Sequence, residues 1–215
     1  TTTLMVKQIL GKDAVTNASG ANLLNGIVSA IITGPKSEWG VFEVDENSLP
    51  LVLKSIKSVK SKVTIVLLNL FRDQLDRYGE VDVIAEKWMK SVPKDCQIIA
   101  NADDPLIAEI SRKATRKPIF FGLDDPGQYA KTLEHATDST FCPKCGARLR
   151  YQGMYYSHIG DWYCPKCKNS RPKLDISEWD YSLPGLYNRY NTLAAVATAK
   201  VLGVNDQKIK QALKD

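Results

Sequence analysis

Apolar residues recur along this chain in two rhythms. From Thr2 to Leu10, the residues Leu4, Met5, Ile9 and Leu10 fall at helical spacing, and Gly11 follows as a stop. Val81 to Val92 repeats the helical rhythm with Val81, Ile84, Trp88 and Met89 on one face. Tyr187–Leu202 and Asp206–Leu213 read as two closing helices, and shorter ones are expected at Ile27–Ile32, Val52–Val59 and Pro105–Arg112, the last with proline at its first position. Between them lie short, dense apolar runs, Lys62–Leu70, Cys96–Ala100 and Pro118–Gly122, the signature of strands buried on both faces. Trp39–Val44 reads as a further strand entering the acidic loop Asp45-Glu46-Asn47, whereas Ala14–Asn25 has the composition of a loop.

Strands alternating with helices predict an α/β fold of three layers, a parallel sheet flanked by helices. Ligands of such sheets gather at the carboxyl ends of the strands. Here those ends read Glu43-Val44-Asp45-Glu46, Asn69-Leu70-Phe71-Arg72-Asp73 and Asn101-Ala102-Asp103-Asp104. All three are rich in asparagine and acids, a composition suited to a nucleotide and its magnesium.

The rhythm breaks at Phe141. Residues 141–172 form an insertion rich in cysteine, glycine, tyrosine and lysine, between a first part, 1–140, and closing helices, 173–215. Cys142-Pro-Lys-Cys145 and Cys164-Pro-Lys-Cys167 are separated by 18 residues. Two C-x2-C turns at that spacing can converge on one tetrahedral zinc, and four thiolates leave no open position, so the metal would be structural. Two disulfides, or redox-active C-x-x-C pairs, are the other readings. His158 is expected as an exposed loop residue and Cys96 as a small core residue. The stretch Ser177–Tyr181 is short for a connection between the insertion and the last helices.

Composition changes this picture little. The 215 residues are 44% hydrophobic and 25% charged, ordinary for a globular protein, and the formal net charge of +5 is scattered. Such a surface suits anionic substrates without requiring them. No apolar stretch approaches the ~20 residues that span a bilayer. Five cysteines, four of them in tight pairs, favour metal over disulfides and hence a reducing, cytoplasmic setting.

Four segments, quoted in chain order, resemble the Mur ligase family. Thr1-Thr2-Thr3 is similar to the threonine-rich helix start that follows the family's phosphate loop, which would stand before Thr1, and Asn17-Ala-Ser-Gly20-Ala21-Asn22 to the residues beyond it. Val41-Phe42-Glu43-Val44-Asp45-Glu46 resembles the strand whose glutamate holds magnesium. Asn69-Leu70-Phe71-Arg72-Asp73-Gln74-Leu75-Asp76-Arg77-Tyr78-Gly79 resembles Asn-x-x-x-Asp-His-x-Asp-x-x-Gly, with Gln74 in place of histidine. Asn101-Ala102-Asp103-Asp104 and Pro184-Gly185-Leu186-Tyr187-Asn188-Arg189-Tyr190-Asn191 resemble the family's Asn-Ala-Asp-Asp and Pro-Gly-x-His-Asn-x-x-Asn, with Tyr187 in place of histidine.

The resemblance implies catalytic roles for Glu43 and Asp73. It implies ATP and Mg2+ contacts from Thr1, Thr2, Glu43, Gln74, Asn101 and Asn188, with Asn188 and Asn191 capping the helix they begin. The Gln74 exchange and the cysteine insertion resemble the amidating branch of the family. That branch implies activation of a carboxylate of the lipid-linked peptidoglycan precursor as an acyl phosphate, then attack by ammonia from a GatD-like glutaminase subunit, at the inner face of the bacterial membrane. An amino-acid-adding ligase, of the Mur or folylpolyglutamate-synthase type, is the second reading. A zinc-ribbon protein that stacks nucleic acid on Tyr151, Tyr155, Tyr156 and Trp162 beside Arg148 and Arg150 is the third.

Overall fold

The computed structural model describes residues 1–17, 20–56, 61–71, 81–115, 117–130, 139–180 and 183–214. In chain order the elements are α1 (Thr2–Leu10), β1 (Ala14–Val15), α2 (Leu24–Thr33), β2 (Trp39–Gly40), α3 (Leu49–Ile56), β3 (Thr64–Leu67), α4 (Val81–Ser91), β4 (Gln97–Asn101), α5 (Pro105–Ala114), β5 (Ile119–Phe121), β6 (Arg150–Tyr156), β7 (Ile159–Tyr163), α6 (Leu186–Val201) and α7 (Asp206–Ala212).

Strands β3, β4 and β5 form a parallel sheet with β4 in the centre. Alternation along the strands divides the core in two. Ile65, Leu67, Ile98, Ala100 and Phe120 face a cluster shared with α4 and α5, and Ile99 and Phe121 face a cluster shared with α6. The continuous apolar runs of the sequence are explained by this double burial, since Ile98, Ile99 and Ala100 are all fully buried.

Helix α6 is the second organiser. Tyr190, Leu193, Ala194 and Ala197 lie against the sheet, and Ala195, Val196 and Ala199 lie against Met5, Ile9 and Ile209 of α1 and α7. Alanine on both sides allows α6 to sit close to the sheet and to α1 at once, which a longer side chain would prevent.

Three expected element bounds shift. The strand expected over Trp39–Val44 pairs only at Trp39–Gly40, in parallel with β1 (Ala14↔Trp39, Val15↔Gly40), with Val41 N–H reaching Val15 O at 2.9 Å. Beyond Val15 a side chain replaces the backbone partner: Asn17 Oδ1 accepts from Glu43 N–H at 3.0 Å and Asn17 Nδ2 donates to Glu43 O at 2.8 Å. The helix expected from Val52 begins at Leu49, because the Asp45 carbonyl accepts from Ser48 and Leu49 N–H at 3.0 and 3.1 Å and starts the turn early; its expected end at Val59 lies outside the described residues. The expected loop Ala14–Asn25 contains β1 and the first residues of α2.

Candidate nucleotide site and metal centre

The amino ends of α1 and α6 meet. Thr2 Oγ1 donates to Asn191 Oδ1 at 2.8 Å, and Asn191 Nδ2 reaches Asn188 Oδ1 at 3.4 Å. Thr1 is exposed at the N-cap of α1 with no side-chain cap, so the free N–H groups of that turn stay available to an anion. Two sequence-predicted residues, Thr2 and Asn188, are thus joined through a third. The capping role expected for Asn188 and Asn191 is corrected. The N-cap of α6 is Gly185, at φ 98° with no side-chain cap, and Asn188 Nδ2 instead donates to Pro184 O at 2.7 Å. The positive φ at Gly185 starts the helix one turn ahead of where a capping asparagine would.

Glu43 leaves the end of β2 with an exposed carboxylate while Asn17 holds its backbone on both sides. Neighbouring Asp45 is buried, its Oδ1 taken by Asn47 N–H at 3.0 Å, whereas the Glu43 side chain is exposed. Trp88 Nε1 donates to Glu46 O at 2.7 Å and ties the same loop to α4. Asn17 is the supporting residue that pattern reading missed; its only signal was its place in the Asn-Ala-Ser-Gly-Ala-Asn segment. Asp73 and Gln74 lie outside the described residues.

The Asn101–Asp104 turn at the end of β4 is wholly buried. Asn101 Oδ1 accepts from Asp103 N–H at 3.0 Å and fixes the turn. Asp104 caps α5, its Oδ1 accepting from Leu106 and Ile107 N–H, while its Oδ2 accepts Leu70 N–H from the end of β3 at 3.0 Å. Asp103 accepts from Arg171 Nε at 2.6 Å, Tyr190 Oη at 2.6 Å and Leu123 N–H at 2.9 Å. Burial pushes its carboxyl up to about 6, against the lowering pull of those donors. Burial and the facing Asp103 together raise Tyr190 well above the usual tyrosine range, which keeps it a donor.

The insertion docks on this edge. Gly160 N–H donates to Asp103 O at 3.0 Å, Trp162 Nε1 to Ala102 O at 3.0 Å, and Tyr155 Oη to Leu123 O at 2.7 Å. His158, expected on the surface, is corrected: it has no exposed area, and its Nε2 lies 3.2 Å from Asp104 Oδ2. The reason is the hairpin β6–β7, whose turn at Ser157 (φ 46°) folds His158 inward over the end of β4. Trp162, Tyr155 and Tyr156 are buried in the same contacts, so the stacking platform that a nucleic-acid reading requires is turned inside.

The four paired cysteines converge. Their sulfurs all lie within 4.8 Å of one another, with Cys142–Cys167 and Cys145–Cys164 at 3.6 Å and every thiol free. A tetrahedral zinc at ~2.3 Å from each sulfur would set them about 3.8 Å apart, so the cluster fits that ion and not two disulfides. Each knuckle closes alike: Gly146 N–H donates to Cys142 O and Lys168 N–H to Cys164 O, with Gly146 at φ 70° and Lys168 at φ 61°. Cys167 N–H points at Cys164 Sγ from 3.5 Å, and this is the main cause that lowers the Cys164 thiol to about 6, towards the thiolate a metal takes. Cys96, as expected, is a buried core residue.

A cleft of about 510 Å³ opens beside α6 between Asp125, Trp179, Arg189 and Lys210. Its lining includes Arg189 of the Pro184–Asn191 motif but none of the residues expected to contact ATP, Mg2+ or zinc.

The parallel sheet between helices, with the starts of α1 and α6 meeting at one end, defines an α/β domain. The Mur ligase middle domain matches residues 1–199, and the chain belongs to that family. The MurT subunit of lipid II isoglutaminyl synthase (glutamine-hydrolyzing) from Staphylococcus aureus (strain COL) is 33% identical over 216 residues, which cover 90% of this chain and 47% of that protein. The corresponding subunit of Streptococcus pneumoniae (strain ATCC BAA-255 / R6) is 32% identical over 233 residues, 96% of this chain and 50% of that protein. Among solved structures, a pseudomurein peptide ligase type C from Methanothermus fervidus superposes with a TM-score of 0.75 at 22% identity, covering 99% of this chain and 46% of that one, and so shares the fold. The chain spans about half the length of the curated relatives it matches.

Proposed function

We propose that this chain is the ATP-binding part of a carbon–nitrogen ligase that amidates a peptidoglycan precursor. The carrying observation is the meeting of the α1 and α6 amino ends through Thr2, Asn191 and Asn188, combined with 32–33% identity to two MurT subunits over nearly the whole chain. Thr1 and Thr2 present helix N–H groups to the phosphates of ATP, and Asn188 binds beside them. Glu43 and Gln74 would hold Mg2+, which when bound offsets charge on the transferring phosphate, and Asp73 has a catalytic role beside them. Asn101 contributes by shaping the turn at the end of β4. The substrate is the lipid-linked precursor, lipid II, in which the D-glutamate α-carboxyl takes the γ-phosphoryl group of ATP to become an acyl phosphate. Ammonia from a GatD-like glutaminase subunit then displaces phosphate and leaves D-isoglutamine.

The four cysteines hold a structural Zn2+ that leaves no position for substrate. The enzyme works in the bacterial cytoplasm at the inner face of the membrane, reaching it through its substrate; among the described residues no helix is long and apolar enough to cross one.

The test is turnover of the full-length protein with its glutaminase subunit. Glu43→Ala should lower magnesium-dependent activity by more than about tenfold and leave the melting temperature unchanged, because an exposed carboxylate adds little to the core. Wild-type turnover in that variant would assign magnesium to another acid. Product formed from a free amino acid rather than ammonia would favour the amino-acid-adding reading.

A further inference from the structure

Asn169 follows the second cysteine knuckle, and both polar atoms of its side-chain amide are engaged. Oδ1 accepts from Arg112 Nη1 at 2.7 Å, and Nδ2 lies 3.4 Å from Glu109 Oε2 and 4.0 Å from Cys142 Sγ. The amide can stand only this way round, because a guanidinium donates and a carboxylate accepts. It has two N–H groups, one for the carboxylate and one for the sulfur. The backbone is held as well: Asn169 O accepts from Cys164 N–H at 2.7 Å, and Arg112 Nη2 donates to Ser170 O at 2.8 Å. Glu109 and Arg112 lie three residues apart on α5 and so share a face. Glu109 is buried and pairs also with Lys113 at 3.1 Å. Helix α5 thus touches the insertion at both ends, at its Asp104 cap, which meets His158, and here at the knuckle.

Four thiolates on one Zn2+ leave negative charge in excess on the sulfurs, and an N–H aimed at a sulfur spreads that charge. Within the insertion, Cys167 N–H does this for Cys164 from 3.5 Å. For Cys142 the side-chain donor is Asn169, and its orientation is set from outside the insertion. We propose that Asn169 is a positioning residue of the metal centre, turned by Glu109 and Arg112 so that its amide donates to the Cys142 thiolate, and that the ligase body in this way helps to set metal affinity. The proposal rests on the zinc reading given above. A residue that only closes the knuckle needs its backbone bond to Cys164 and nothing more. Here the side chain bridges a metal ligand and two charged residues 57 and 60 positions away. Metal retention is then a property of the docked insertion rather than of the four cysteines alone. Detaching the second knuckle from α5 removes a donor from the sulfur and makes the metal easier to lose.

The experiment compares wild type, Asn169→Ala, Asn169→Asp and Glu109→Gln in the full-length protein. Zinc affinity is read by competition with a chromophoric chelator. The sulfur-to-metal absorption band is read in the Co2+-loaded protein. Alanine removes both the donor and the Arg112 contact. Aspartate keeps the size and an acceptor for Arg112, but it sets an oxygen where the donor stood, facing Glu109 and the sulfur. Asn169→Ala should lose about tenfold or more in zinc affinity, and Asn169→Asp should lose more than that. Glu109→Gln frees the amide without removing it, and should fall between wild type and Asn169→Ala. The Co2+ band should move in both Asn169 variants. If Asn169 served only to dock the knuckle on Arg112, the order would reverse, with Asn169→Asp near wild type and Asn169→Ala below it. That reversed order, an unmoved band, or unchanged affinity in every variant would overturn the proposal. If neither Asn169 variant folds, Glu109→Gln decides: lowered affinity supports the role of Asn169 and unchanged affinity overturns it. A wild type that takes up no zinc would sink the zinc reading and the proposal with it, whereas a zinc-loaded wild type with unaffected variants would sink the role of Asn169 alone.

Discussion

The buried carboxylate of Asp103 accepts from three donors, one of them the guanidinium of Arg171, with which it forms an ion pair at 2.6 Å. Removing one partner from such a pair leaves an uncompensated buried charge. Arg171→Met is therefore expected to cost about 3–5 kcal/mol. The sign with pH follows from the raised carboxyl, at about 6 against an unfolded value near ~3.9. A group whose folded pKa is raised stabilises below its unfolded value and loses that contribution as pH rises through the folded one. Without Arg171 the carboxyl rises further, so the deficit should be larger at about pH 8 than at about pH 6 in urea denaturation. An equal deficit at both would mean that Asp103 is not what Arg171 neutralises.

The knuckles offer a second test at single positions. Gly146 and Lys168 occupy equivalent left-handed positions, both exposed, and a Cβ at Gly146 meets nothing within 4 Å. Only the backbone decides the outcome, so Gly146→Ala should cost about 1 kcal/mol and Lys168→Gly should gain about 0.5–1 kcal/mol. Thermal melts of the zinc-loaded protein measure both.

At the scale of elements, the insertion and the sheet share a core. Leu149, Trp162, Cys142 and Cys164 belong to the same buried cluster as Ile98, Ala100 and Ile107. Cys145→Ser should lose zinc, since three remaining sulfurs leave the site incomplete, and the metal supplies most of the folding energy of so small a segment. With the hairpin loosened, the face over β4 loses the cover of Trp162. The sheet should then melt at least about 4 °C lower rather than keep its wild-type midpoint. Metal analysis and calorimetry read the two effects separately. A full zinc equivalent in the variant would show that the ligand set is wrong, and an unmoved sheet transition would show that the insertion folds as a separate body.

The elements were legible in the sequence where the pattern was strong. Doubly apolar runs such as Cys96–Ala100 and proline-led helices such as α5 carry their own period and caps. The end of the strand after Trp39 was not legible, because the side chain of Asn17, 26 residues from Glu43 in the chain, takes over there. Nor was the inward turn of His158, since its partner Asp104 is 54 residues away.

At the scale of the whole molecule, α6 is the spine between the sheet and α1. Ala195 is fully buried in the cluster with Met5, Ile9 and Ile209. Ala195→Leu should cost about 1–3 kcal/mol through overpacking, and should weaken ATP binding as well, because the same interface aligns Thr2 with Asn191. Denaturant midpoints and ATP affinity should fall together, and ATP binding that survives a destabilised variant would separate the interface from the site.

The sequence by itself determined what depends on neighbours along the chain. That covers the alternation of strand and helix, the two cysteine knuckles and their spacing, and the order of motifs that marks the Mur ligase middle domain. Period, turn chemistry and ligand spacing are local properties, so they can be read before the chain folds. The tertiary structure alone decided which groups share one environment. It set the insertion on the carboxyl edge of β4, committed Asp103 and Asp104 to holding that junction, and joined the starts of α1 and α6 through residues 189 apart. Those contacts come from burial, and burial assigns partners by shape and by the need of every enclosed polar group for a hydrogen bond, neither of which a one-dimensional pattern records.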